Sequence, residues 1–119
     1  MQVGDYDALV LPGGVMSPDK LRINDQALAI VKAFVESGRV VAAICHAPWL
    51  LVEAGAVKGR EVTSYIPIGT DIVNAGGRWV ARQVVTDQGM ITSRHPGDID
   101  AFVAKIIEEV EEGVHRRAA

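Results

Sequence analysis

This 119-residue chain lacks a second cysteine and any surplus of basic charge. With Cys45 as its one cysteine it can form neither an internal disulfide nor a cysteine-based zinc site. Twelve Lys and Arg against fifteen Asp and Glu give a net charge of −3, without the basic stripe of a nucleic-acid binder, so no nucleic-acid partner is expected. No apolar run approaches the roughly 18 residues of a membrane span. The opening MQVGDYD has neither the basic region nor the apolar core of a signal peptide. Repeats and low-complexity stretches are absent too. A soluble, reducing, cytoplasmic compartment is the expectation, where a lone thiol is either a small buried hydrophobe or a reactive centre. The 49% apolar and 23% charged composition is globular and excludes wholesale disorder. The length suits one domain, expected over 1–113, with a frayed tail at 114–119.

Two continuous apolar runs frame the fold. Residues 8–11, between Asp7 and Pro12-Gly13-Gly14, read as a buried strand. A helix is expected from Asn24, a capping residue, to Ser37, with Ala27, Ile30, Val31 and Phe34 on one face and Gly38 ending it. Residues 40–44 show no alternation, as in strands buried on both faces of a parallel sheet. A short helix over 47–54 tolerates Pro48 in its first turn and stops at Gly55. Residues 60–66 suggest another short strand, and 68–75 a helix. Segments 80–85 and 90–93 flank Thr86-Asp87-Gln88-Gly89 as a hairpin. A last helix is expected from near Pro96 to Gly113, its apolar face made of Ile99, Phe102, Val103, Ile106, Ile107 and Val110. Glu108, Glu109, Glu111 and Glu112 fall in its final turns, where the helix dipole disfavours them. Two runs each followed by a helix indicate a three-layer α/β fold.

The chemistry concentrates in VAAICHAPWLL. Cys45 falls where a buried strand ends and a helix begins, the edge at which open α/β sheets place ligands. Helix N–H groups there would stabilise a thiolate. Ala43 and Ala47 supply the small neighbours that a sharp turn needs, the steric logic of a nucleophile elbow. An attacked carbonyl needs donors for its developing charge, and the N–H groups of His46 and Gly14 are the candidates. The Gly-Gly turn lacks the spacing and lysine of a phosphate loop. Against this stands the plain alternative of a core-filling Cys45, turn-forming glycines and a surface His46.

The segments LVLPGG, VMSPDKLRIN, VAAICHAPWLLVEAG and VTSRHPGD together resemble the PfpI family of intracellular cysteine proteases and general stress proteins, in the ThiJ/PfpI branch of the class I glutamine amidotransferase-like superfamily. The resemblance runs from about Tyr6 to about Glu112. It implies a flavodoxin-like sandwich with a mostly parallel sheet and a nucleophile at Cys45 with His46 as its base. It also implies an acidic residue, here Asp19, that orients the histidine, often across a subunit interface. Two departures are visible. Ala47 stands where the family usually has Gly. The matching region also begins only at the strand leading to LPGG, so an N-terminally truncated domain is expected, without the family's thiol-contacting glutamate.

The resulting expectation is a cysteine-nucleophile hydrolase needing no cofactor and no metal. It would act on a peptide, a glycated protein or a small α-oxoaldehyde, as an intracellular peptidase or a deglycase/glyoxalase of the stress response. It would assemble as a homo-oligomer without a membrane or nucleic-acid partner. The alternative is a non-catalytic or redox-sensing stress protein using the same thiol. Among other polar residues, Glu53, Asp71 and Asn74 read as surface groups before pocket groups, and His95 as a loop residue. Trp49 and Trp79 read as core, and His115 as an idle tail residue.

Overall fold

The computed structural model describes residues 6–12 and 23–112. In chain order the elements are β1 (Ala8–Leu11), α1 (Asp25–Ser37), β2 (Val40–Ile44), α2 (Pro48–Glu53), β3 (Glu61–Val62), a 3-10 turn (Ile66–Ile68), α3 (Gly69–Asn74), β4 (Arg78–Trp79), β5 (Val84–Asp87), β6 (Met90–Ser93), a second 3-10 turn (Pro96–Asp98) and α4 (Ile99–Glu112). The main sheet has the order β1-β2-β6-β5, parallel except for the β5–β6 hairpin, and β3 with β4 forms a small parallel ladder.

β2 explains the layering. All five of its residues are buried. Val41 and Ala43 point into a core built with Val31 and Phe34 of α1 and Leu50 and Leu51 of α2. Val40, Ala42 and Ile44 point the other way, against Ile91 of β6 and Phe102 of α4. The unbroken apolar run is thus the signature of a strand with helices on both faces. α1 begins and ends as its sequence dictates. Asn24 accepts from the Ala27 N–H at 3.0 Å, and Gly38 closes the helix at φ 78°.

Several boundaries differ from the sequence expectation. β1 is not buried on both faces: Leu11 is covered, but Val10 is 49% exposed. The reason is placement, since α4 packs over β2, β5 and β6 and leaves that face of β1 open. The strand expected over 60–66 shortens to Glu61–Val62. Past Val62 the backbone turns to other partners: the Thr63 N–H donates to Thr92 Oγ1 at 2.9 Å and the Tyr65 N–H to the Cys45 carbonyl at 2.8 Å. The hairpin turn is only Gln88-Gly89, with Thr86 and Asp87 inside β5, and β5 starts at Val84, not at residue 80.

α4 also presents a different face. Phe102 is buried with Ile106 and Val110 packed beside it, whereas Ile99, Val103 and Ile107 are 47, 45 and 55% exposed. The helix carries two adjacent apolar stripes and only one reaches the sheet. Glu109 lies on the inner stripe and is buried. No helix among the described residues is long and apolar enough to cross a membrane. The expected tail at 114–119, with His115, lies outside the described residues.

Candidate active site

Cys45 follows the last residue of β2 and precedes α2 by two residues. Its φ is 66°, in the left-handed region that costs a non-glycine residue about 1–2 kcal/mol. Both of its backbone polar groups are engaged. Its N–H donates to the Ser93 carbonyl at 3.0 Å, and its carbonyl accepts from the Tyr65 N–H at 2.8 Å. The sheet ladder thus runs one residue beyond Ile44 and then hands over to the loop after β3. Ala43 and Ala47 are fully buried on either side. Ala47 takes an ordinary right-handed conformation at φ −58°, so its methyl group needs none of glycine's freedom.

The elbow brings together two side chains that neighbours in sequence normally hold apart. Cys45 Sγ lies 3.3 Å from His46 Nδ1, and both residues are half-buried. The imidazole is flanked by two rings: Trp49 at a centroid distance of 5.2 Å and Tyr65 at 5.0 Å. Trp49 in turn donates its indole N–H to Asp71 Oδ2 at 2.8 Å.

One part of the expected chemistry changes. The N–H groups of the short helix do not face the thiol unengaged. Pro48 has none, and those of Ala47, Trp49 and Leu50 go to the carbonyls of Ile44, His46 and Ala47. Among the described residues, no backbone carbonyl accepts from the His46 N–H. Gly14 and Asp19, the other expected site residues, lie outside the described residues.

Beyond the thiol the chain forms a rigid rim. Arg94 grips Asp98 with two side-chain hydrogen bonds, Nε to Oδ2 at 2.9 Å and Nη2 to Oδ1 at 3.0 Å, and adds its backbone N–H at 3.1 Å. Asp98 is buried, and these hydrogen bonds from Arg94 hold its carboxyl below the usual aspartate range, while the carboxylate raises the guanidinium. His95 caps the turn, its Nδ1 accepting from the Gly97 N–H at 3.1 Å. It also helps line a cavity of about 460 Å3 with Tyr65, Ile66, Pro67 and Arg94. It is therefore a loop residue, as its place before Pro96 suggested, but one on a cavity wall. Ile66 separates this cavity from another of about 360 Å3 lined by Gly69, Thr70, Val73 and Trp79.

Trp79 packs half-buried against the core, as expected, and donates its indole N–H to Ser64 Oγ at 3.0 Å, whereas Trp49 is half-buried beside the imidazole. Glu53 and Asn74 are exposed. Two hydroxyls near the elbow, Thr63 Oγ1 and Ser93 Oγ, are buried without a hydrogen-bond partner among the described residues. No cluster of three His, Cys, Asp or Glu suited to a metal ion occurs among the described residues. Sequence reasoning missed Tyr65, whose contact with Cys45 spans twenty residues and leaves no local pattern. The His46-to-Trp49 spacing of three was the one available hint that those rings meet on a helical turn.

The chain is similar to known proteins in sequence and in fold. Deglycase PfpI of Pyrococcus furiosus is 45% identical over 104 residues, which cover 87% of this chain and 62% of that protein. Protein/nucleic acid deglycase 2 of Escherichia coli is 44% identical over 99 residues, covering 82% and 57%. The chain thus spans about three-fifths of the length of these relatives. A two-domain protein of Anabaena variabilis, with DJ-1/ThiJ/PfpI-like and ferritin-like domains, superposes with a TM-score of 0.90 at 38% identity, covering 93% of this chain and 32% of its own. The DJ-1/PfpI family profile matches residues 1–109, and the chain belongs to the DJ-1/PfpI family.

Proposed function

We propose that Cys45 is the nucleophile of a cysteine-dependent hydrolase of the deglycase type. The observation that carries this reading is the elbow: a thiol held at φ 66° with an imidazole nitrogen 3.3 Å away. His46 Nδ1 takes the thiol proton as Sγ bonds to an electrophilic carbon of the substrate. The His46 N–H, with that of Gly14, holds the oxygen on which charge develops. The imidazolium returns its proton to the leaving group, and water then releases the carbon from sulfur. Asp19 serves as the acidic partner of His46.

The names of the relatives point to glycated substrates, and an amine bearing an α-oxoaldehyde adduct is the substrate class proposed here. A peptide bond is the alternative acyl substrate for the same nucleophile. The name of the Escherichia coli relative extends the class to nucleic acids. The acidic net charge argues against a nucleic-acid groove, so a glycated nucleotide is the form to test. Cytoplasmic residence is part of the proposal, as is assembly into a dimer or larger homo-oligomer. The exposed Ile99, Val103 and Ile107 stripe and the open face at Val10 support assembly.

The test supplies a methylglyoxal-treated peptide, a methylglyoxal-treated nucleotide and a fluorogenic peptide amide to the protein and to Cys45→Ser. Activity on the treated peptide should fall by about 10³-fold or more in the variant, because a neutral hydroxyl is a far weaker nucleophile. Full activity in Cys45→Ser overturns the reading. Stoichiometric thiol oxidation without product in the parent protein also overturns it, in favour of a redox sensor. For assembly, Cys45→Ala mixed with Asp19→Asn should regain activity that neither has alone. Light scattering that shows a monomer at working concentration sinks that part.

A further inference from the structure

We propose that Trp49 and Asp71 form a clamp within one chain that sets the orientation of His46. The inference rests on the reading of Cys45 and His46 as nucleophile and base. An imidazole joined to its neighbour by one backbone step has a broad torsion about its ring bond. A swing of the ring out of its present plane would carry Nδ1 away from the thiol. Something must therefore select the ring position that leaves Nδ1 3.3 Å from Sγ.

The two rings beside the imidazole restrict that swing. Tyr65 is fixed through its backbone, since its N–H donates to the Cys45 carbonyl. Trp49 is fixed at both ends. Its backbone N–H donates to the His46 carbonyl at 3.0 Å, which places the indole one helical turn above the imidazole. Its indole N–H donates to Asp71 Oδ2 at 2.8 Å, which ties the ring to the first turn of α3. Asp71 lies 22 residues from Trp49 in sequence, so the bond joins two separate elements. It is a charge-assisted hydrogen bond, the stronger kind. With the indole and the Tyr65 ring held 5.2 and 5.0 Å from its centroid, the imidazole has less room to swing than on an open surface. Trp49 and Asp71 are thus positioning residues. Both rings come from the same chain as the imidazole, so this restraint acts beside the carboxylate proposed for Asp19.

Asp71 is exposed, so its substitution leaves the core intact. The readout is the rate of Cys45 alkylation by iodoacetamide at pH 7, beside turnover of the methylglyoxal-treated peptide. His46→Ala sets the floor for both. Asp71→Ala should lower the alkylation rate about fivefold toward that floor and kcat about tenfold, with KM little changed. Asp71→Asn, whose amide oxygen can still accept from the indole, should recover most of that loss. Trp49→Phe, which keeps a ring but loses the tether, should be at least as impaired as Asp71→Ala, and parent-like rates in it overturn the clamp. If Asp71→Ala alkylates and turns over like the parent, the clamp is overturned while the cysteine–histidine reading stands. If Asp71→Asn is as impaired as Asp71→Ala, the tether is not what matters and the proposal fails. If His46→Ala alkylates like the parent, His46 does not act on the thiol, and base and clamp fall together.

Discussion

Cys45 and Gln88 are the two non-glycine residues with positive φ among the described residues, at 66° and 53°. They lie at opposite ends of β2. The Val41 N–H at its start donates to the Gly89 carbonyl beside Gln88, and Cys45 follows its last residue. The same backbone conformation has different causes. A two-residue hairpin turn of type I′ needs positive φ at both turn positions, and Gln88 with Gly89 at φ 81° supplies it. Nothing local asks for it at Cys45. There the backbone hydrogen bonds to Ser93 and Tyr65 hold it from outside, and the small buried Ala43 and Ala47 leave it room. Strain required by a turn is structural. Strain imposed by the surroundings at a reactive side chain is what a functional site uses.

The largest effect separating the two positions is expected from Cys45→Gly. Glycine accepts φ 66° without strain, so activity should vanish while the melting temperature holds or rises. A fall of several degrees, read by calorimetry, would mean that thiol packing outweighs backbone strain and that the contrast with Gln88 is overstated.

An intermediate effect is expected at the rim that follows β6, the strand paired with β2. Asp98→Asn removes the paired carboxylate from Arg94 and should lower the melting temperature by several degrees at pH 7. The pH dependence has a definite sign. Asp98 titrates below its ordinary range in the folded chain, so its contribution is complete above that range and is lost as pH falls through the lowered value. Parent protein should therefore lose stability below about pH 4 more steeply than Asp98→Asn. Parallel acid melts for the two proteins would refute the pairing as a source of stability.

The smallest effect is expected at the hairpin. Gln88→Gly should relieve the left-handed cost, offset in part by glycine's larger chain entropy, for a net gain of about 0.5 kcal/mol. Activity should not change. A loss of activity would show that the hairpin and the elbow are coupled through β2 and β6, and are not independent.

Much of this molecule was legible as a string. Val40–Ile44, without alternation, announced a strand covered on both faces, because only such a strand can be apolar at every position. Asn24 and Gly38 marked the ends of α1, because capping is a matter of local hydrogen bonds and backbone freedom. A lone cysteine between a buried strand and a helix, among small residues, marked the site. Other features depended on neighbours distant in sequence. Which stripe of α4 meets the sheet follows from how the helix lies across β2 and β6, so Ile99, Val103 and Ile107 could not be told from Phe102 and Ile106. The length of β3 was set by Thr92 and Cys45, which draw the backbone away from its ladder. The approach of His46 to the thiol, and the roles of Tyr65, Trp49 and Asp71 around it, were likewise decided only by the tertiary structure. Sequence determines conformation where the deciding interactions are a few residues apart. Ring against ring and carboxylate against indole, across twenty residues, are fixed by packing that exists only in the folded chain.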